Sequence, residues 1–187
     1  MRPAGSRTGA RSPLIAPREL GGDAQRRPPA RHTAAELTAL LGLLNAQHPP
    51  VRTVAVGHSR DDASRETARA FVEEWSRVAG RSVLAVVDWP EQAASWLRAA
   101  RRLTAETPDA WVVAAAPLGW AQLARRLTHS TGWDARRTFG FASLAVPDAV
   151  SLSGSRNLDG LRVVDAGGGA WAVRDGLLIP ACRGVVP

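Results

Sequence analysis

Seven apolar residues in succession, Ala110-Trp111-Val112-Val113-Ala114-Ala115-Ala116, constrain this chain more than any other stretch. The run is far too short to cross a bilayer. It lies between Pro108 and Pro117, which rules out one long helix. A strand with no polar face needs a cover on both sides, and such strands sit at the centre of parallel sheets with helices above and below.

The rest of the chain supplies the covers and the neighbours. Thr33 with Glu36 three residues on has the capping-box pattern, and Leu37, Leu40, Leu41 and Leu44 follow on one helical stripe until Pro49-Pro50. Thr53 to Gly57 is a first strand. Asp61 and Asp62 suit the start of a second helix, with Ala68, Phe71, Val72, Trp75 and Val78 inward and Gly80 at its end. Ser82 to Val87 is a second strand. Pro90 is expected to open a third helix, with Ala93, Trp96, Leu97, Ala100 and Leu103 inward and Arg98, Arg101 and Arg102 outward. The apolar run is the third strand, and Pro117 to Gly132 the helix after it. Thr138 to Ala142 and Leu161 to Val164 are a fourth and a fifth strand, separated by a polar, turn-rich Ser151 to Asn157. Ala170–Val173 and Leu177–Ile179, joined by Asp175-Gly176, make a C-terminal hairpin. The expected fold is α/β, three-layered, with a mostly parallel sheet of about five strands between helices.

The net charge of +7 raises the question of nucleic acid, but its distribution argues against it. Residues 1–31 hold seven Arg and two acids, while residues 32–187 hold seventeen Arg and fifteen acids. The excess belongs to a Pro- and Gly-rich head, residues 1–31, and the body from residue 32 to 187 is close to neutral. Lys is absent, which points to a compositional drift toward Arg. The lone Cys182 excludes an internal disulfide, and His32, His48, His58 and His129 lack metal-ligand spacing, so neither a metal nor a cofactor is expected. The basic start is not followed by the apolar core of a secretory signal. The chain as it stands therefore reads as cytoplasmic, and as extracytoplasmic if its start is truncated.

Ligands on parallel sheets bind beyond the carboxyl ends of the strands, which singles out four loops. The first offers His58, Ser59 and Arg60 to an anion at a helix start, or only caps and solvated groups. The second offers Asp88 and Trp89, as a cationic-ligand site or as cap and packing. The third ends in Ala116, with no acid, base or nucleophile, and the fourth offers Ser143. A phosphoacceptor domain would need paired acids, an Asp after the third strand and a Lys, and these are missing. A flavin module would need a Ser/Thr-rich phosphate loop, also missing. Four of the seven Trp fall at core-facing positions, whereas Trp89 and Trp133 are undetermined.

The order of these pieces resembles the type I periplasmic-binding-protein fold, within it the branched-chain amino-acid solute-binding proteins and receptor ligand-binding regions. Ser12-Pro13-Leu14-Ile15-Ala16-Pro17 is similar to the "P-L-I-S-P" strand near the end of that family's first lobe, and Pro28 to Arg31 to the stretch entering the second. Val51 to Gly80, the segment Pro108-Asp109-Ala110-Trp111-Val112-Val113, and Phe139-Gly140 through Val164 resemble successive second-lobe segments. The resemblance implies a second lobe, nearly whole, without most of the first. The family's aromatic after the third strand and acid after the fourth meet Ala115, Ala116 and Ser143 here, so these loops hold no carboxylate for an α-amino group.

The function implied is a non-catalytic ligand-binding or sensing lobe, incomplete as a transporter solute-binding protein. Its contacts would be His58, Ser59, Arg60, Asp88, Trp89, Ala116 and Ser143. Its partner would be a small molecule or a protein docked on the inter-lobe face, and a homodimer would rebuild a two-lobed cleft. An enzyme using His58 and Asp88 on an anionic substrate is the alternative.

Overall fold

The computed structural model describes Ile15, residues 29–154 and residues 156–181. Helix α1 is Ala34–Asn45. Its capping box is formed: Glu36 N–H donates to Thr33 Oγ1, and Thr33 N–H to Glu36 Oε1, both at 3.1 Å. Strand β1 is Thr53–Ser59, α2 is Asp62–Ser76, β2 is Ser82–Trp89 and α3 is Leu97–Leu103. Then come β3 (Ala110–Ala114), α4 (Pro117–Ser130), β4 (Thr138–Gly140), α5 (Pro147–Ser153) and β5 (Arg162–Val164). The hairpin is β6 (Ala170–Arg174) and β7 (Leu177–Pro180).

One sheet holds all seven strands in the order β2-β1-β3-β4-β5-β6-β7. The first five are parallel, and the hairpin extends the sheet antiparallel from β5. The expected five-stranded sheet and C-terminal hairpin are both present, and β3 is central and buried along its whole length.

Alternation along the strands sends side chains to two cores. Val54, Val56, Ala110, Val112 and Ala114 pack beneath Leu40 and Leu44 of α1 and Ala68, Phe71 and Trp75 of α2. Ala55, Val87, Trp89, Trp111 and Val113 pack beneath Ala100 and Leu103 of α3, Trp120, Leu123 and Leu127 of α4, and Ala149 and Val150 of α5. The sheet is thus sandwiched between α1–α2 and α3–α5. Trp89 and Trp133, undetermined from sequence, both belong to the second core.

Four local expectations are corrected. No helix opens at Pro90: β2 runs on to Trp89, because Trp89 pairs with Ser59 and its ring fills the core. The following segment stays irregular, Ala93 is exposed, and α3 begins only at Leu97. The segment read as polar and turn-rich begins inside α5, whose Ala149, Val150 and Leu152 are buried and which stops at Gly154, φ 91°. Strand β4 ends at Gly140, two residues early. Finally, Ile15 lies in no strand: it packs with Ala121 and Leu152, and its N–H donates to Gln122 Oε1 at 3.0 Å. Leu14, Ala16 and most of the head lie outside the described residues, as does Cys182.

Candidate functional site

The parallel strands end together at Ser59, Trp89, Ala114, Gly140 and Val164, and α2 to α5 all start from that rim. So does α1, which runs antiparallel to β1: Thr33 Oγ1 donates to Ala166 O, just past β5, at 2.8 Å. Five helix starts at one rim concentrate unpaired backbone N–H groups there.

On the α1–α2 side of the rim lies a cavity of about 250 Å³. Its polar wall includes Arg31, His32, Thr33, Glu36, Ser64, Thr67 and Ser143, and its apolar wall includes Pro29, Ala30, Ala114 and Phe141. Three of these polar groups, His32, Glu36 and Thr67, are placed by nameable contacts. Glu36 is buried, and beyond its capping bond its Oε2 accepts Ala142 N–H at 3.1 Å, tying α1 to the loop after β4. Thr67 Oγ1 donates to Ala63 O at 2.8 Å, so its one proton is committed. His32 Nδ1, 3.1 Å from the same oxygen, must therefore be the donor, which leaves Nε2 as the acceptor of the neutral ring. The imidazole is also held edge-on to Phe141, centroids 6.1 Å apart. Ser64 is buried, and its hydroxyl has no partner among the described residues. A buried hydroxyl without a partner carries a desolvation cost that a ligand or water would offset.

The residues expected from sequence divide into three groups. Ser143 lines this cavity. His58, Ser59 and Ala116 are packed beneath the rim: β1 runs two residues beyond the expected strand. His58 Nδ1 donates to Ser59 O at 2.7 Å, and Ser59 Oγ accepts Ala116 N–H at 2.9 Å. That last bond ties the end of β1 to the start of α4. Arg60, Asp88 and Trp89 line a separate depression at the end of β2, where Arg60 Nε donates to Asp88 Oδ2 at 2.5 Å. The Arg60 bond holds the Asp88 carboxyl below the ordinary carboxylate range. His58 and Asp88 are paired across β1 and β2, and each also has a hydrogen-bond partner of its own, Ser59 O and Arg60 Nε.

Sequence reasoning missed His32, Glu36, Ser64 and Thr67. Their signal was available: a helix that precedes β1 and packs antiparallel to it must begin at the carboxyl rim, so its cap residues face the same place. Glu91 was missed as well. Its Oε2 accepts Gly119 N–H in the first turn of α4 at 2.7 Å. Burial raises its pKa, against the opposing pull of Ser59 and that N–H.

Among the described residues no group of His, Cys, Asp and Glu is arranged to hold a metal, and no helix is long and apolar enough to cross a membrane. No protein-family model and no curated relative matches the sequence. Solved structures do match. A branched-chain amino acid ABC transporter protein from Rhodospirillum rubrum superposes with TM-score 0.58 at 20% identity, over 70% of this chain and 37% of its own. A substrate-binding periplasmic protein from Ralstonia solanacearum gives 0.58 at 17% identity, over 72% of this chain and 37% of its own. An extracellular ligand-binding receptor from Verminephrobacter eiseniae gives 0.56 at 18% identity, over 72% and 38%. The chain thus has the fold of a single lobe of these periplasmic-binding architectures, and it spans under two fifths of the length of each of these three proteins.

Proposed function

We propose that this chain is a non-catalytic binding lobe that takes a small molecule in the rim cavity between α1, α2 and the loop after β4. One observation carries the reading: a cavity at the carboxyl rim, where parallel sheets bind ligands, contains a buried hydroxyl on Ser64 that nothing in the described structure satisfies. Two of the matching structures, a substrate-binding periplasmic protein and an extracellular ligand-binding receptor, support the same class. The ligand would rest its apolar body on Phe141 and Ala114 and its polar end on Ser64, Ser143 and His32 Nε2. The cavity is open on its outer side, so a facing lobe, either a second copy or another chain, would complete the burial that gives small molecules their affinity.

The test is thermal unfolding against a panel of small amino acids, organic acids and sugars, with Ser143→Trp filling the cavity. A ligand that raises the melting temperature of the parent chain and not of Ser143→Trp supports the proposal. A panel that moves neither, or moves both alike, removes it. Analytical ultracentrifugation with and without the ligand reports whether a second copy closes the site.

A further inference from the structure

The depression at the end of β2 shares no lining residue with the rim cavity and opens on the α3–α4 side of the sheet. Its volume is about 350 Å³. Three guanidinium groups line it: Arg60 from the β1–α2 connection, and Arg98 and Arg102 from successive turns of α3. Among the described residues, the only carboxylate lining it is Asp88, which neutralises Arg60. Glu91, which follows in sequence, is turned away to Gly119. Arg98 and Arg102 make no hydrogen bond or ion pair among the described residues, so the depression carries a surplus of two positive charges. Like charges one helical turn apart repel. Ser95 adds a neutral donor: its Oγ accepts Leu97 N–H at 3.3 Å, which leaves the hydroxyl proton free.

We infer that this depression binds a phosphate group, carried by a small phosphomonoester. The charge fits a dianion. Arginine is the side chain best matched to phosphate, through paired N–H donors. The volume exceeds what a bare phosphate needs and lies near the lower end of the roughly 300–1,000 Å³ of small-molecule sites. The remaining wall, Pro90, Ala93 and Trp96, suits a short organic group.

Calorimetric titration with glycerol phosphate and with inorganic phosphate, at fixed ionic strength with chloride and glycerol as blanks, tests the inference. Saturable binding is expected for both, tighter for the ester. Arg98→Ala/Arg102→Ala is expected to weaken it at least about tenfold, since each charge-assisted hydrogen bond is worth that much or more. Arg101→Ala, compared with each of Arg98→Ala and Arg102→Ala alone, is the control: it removes one positive charge from the same helix but lines a different cavity. Ser143→Trp is expected to leave phosphate binding intact, which separates this site from the rim cavity. Absence of saturable binding, or equal losses in Arg101→Ala and the two single variants, overturns the inference. So does loss in Ser143→Trp with retention in the double variant.

Discussion

Gly57 sits in β1 against the outer edge of the Trp89 indole, and replacing it with alanine is the sharpest test of how the core positions the end of β2. A Cβ built there would lie 2.7 Å from Trp89 Cζ3, 2.9 Å from Cη2 and 3.4 Å from Leu103 Cδ1. Ordinary contact starts near the last of these, so the indole would have to retreat by about half an ångström or more. It has little room. Trp89 is 1% exposed, its ring centroid is 6.4 Å from that of Trp120, and Trp120 stands 5.9 Å from Trp133. Overpacking of this kind costs about 1–3 kcal/mol. For a chain of this size that lowers the melting temperature by roughly 2–12 °C. The assay is thermal unfolding by far-ultraviolet circular dichroism, with the near-ultraviolet tryptophan band as a second readout. Gly57→Ala/Trp89→Phe, which removes the colliding ring edge, is expected to recover part of the loss relative to Trp89→Phe alone. A melting temperature unchanged by Gly57→Ala, or an additive double variant, would refute the reasoning.

Two further outcomes follow from charge. The raised pKa of Glu91 means that the folded state holds its proton more tightly than the unfolded state, so this group favours folding most at low pH. That contribution falls as pH climbs from the ordinary carboxylate range through the raised value. In Glu91→Gln, urea unfolding across this range is expected to lose that fall, gaining stability over the parent chain as pH rises; a constant difference would count against it. At Asp109 burial pushes the pKa up, but three bonds to one oxygen win and hold it low: Arg52 N–H at 2.9 Å, Thr53 N–H at 2.8 Å and Thr53 Oγ1 at 2.9 Å. The stability it adds is present above the ordinary carboxylate range and is lost as pH falls through the lowered value. Asp109→Ala is expected to cost about 1 kcal/mol near neutral pH, because water replaces much of what these exposed groups lose, and little in acid. An equal cost at both ends would contradict this.

The local pattern of the chain determined the architecture. Continuous apolar strands, helical stripes and their caps lie within a few residues of one another, and each has a period that admits one kind of element. The apolar Ala110–Ala116 run announced a central strand because nothing else could bury it, and Thr33 with Glu36 announced a helix start that the structure forms bond for bond. Where local preference and long-range packing disagreed, packing prevailed. Pro90 suits a helix start, yet the ring of Trp89 fills the core as the last residue of β2, Glu91 accepts Gly119 N–H, and the chain stays irregular until α3.

The sites belong to tertiary structure. Ser143 was found because it follows a strand, but its neighbour His32 leads into α1, before β1, and Ser64 and Thr67 stand on α2, after it. Only the antiparallel docking of α1 on the sheet brings them together. His58 and Ser59 look like loop residues until β1 pairs on both sides and draws them in. Which polar groups end up exposed is settled by which strands pair and how far, and that sum over distant contacts is not written in any one segment.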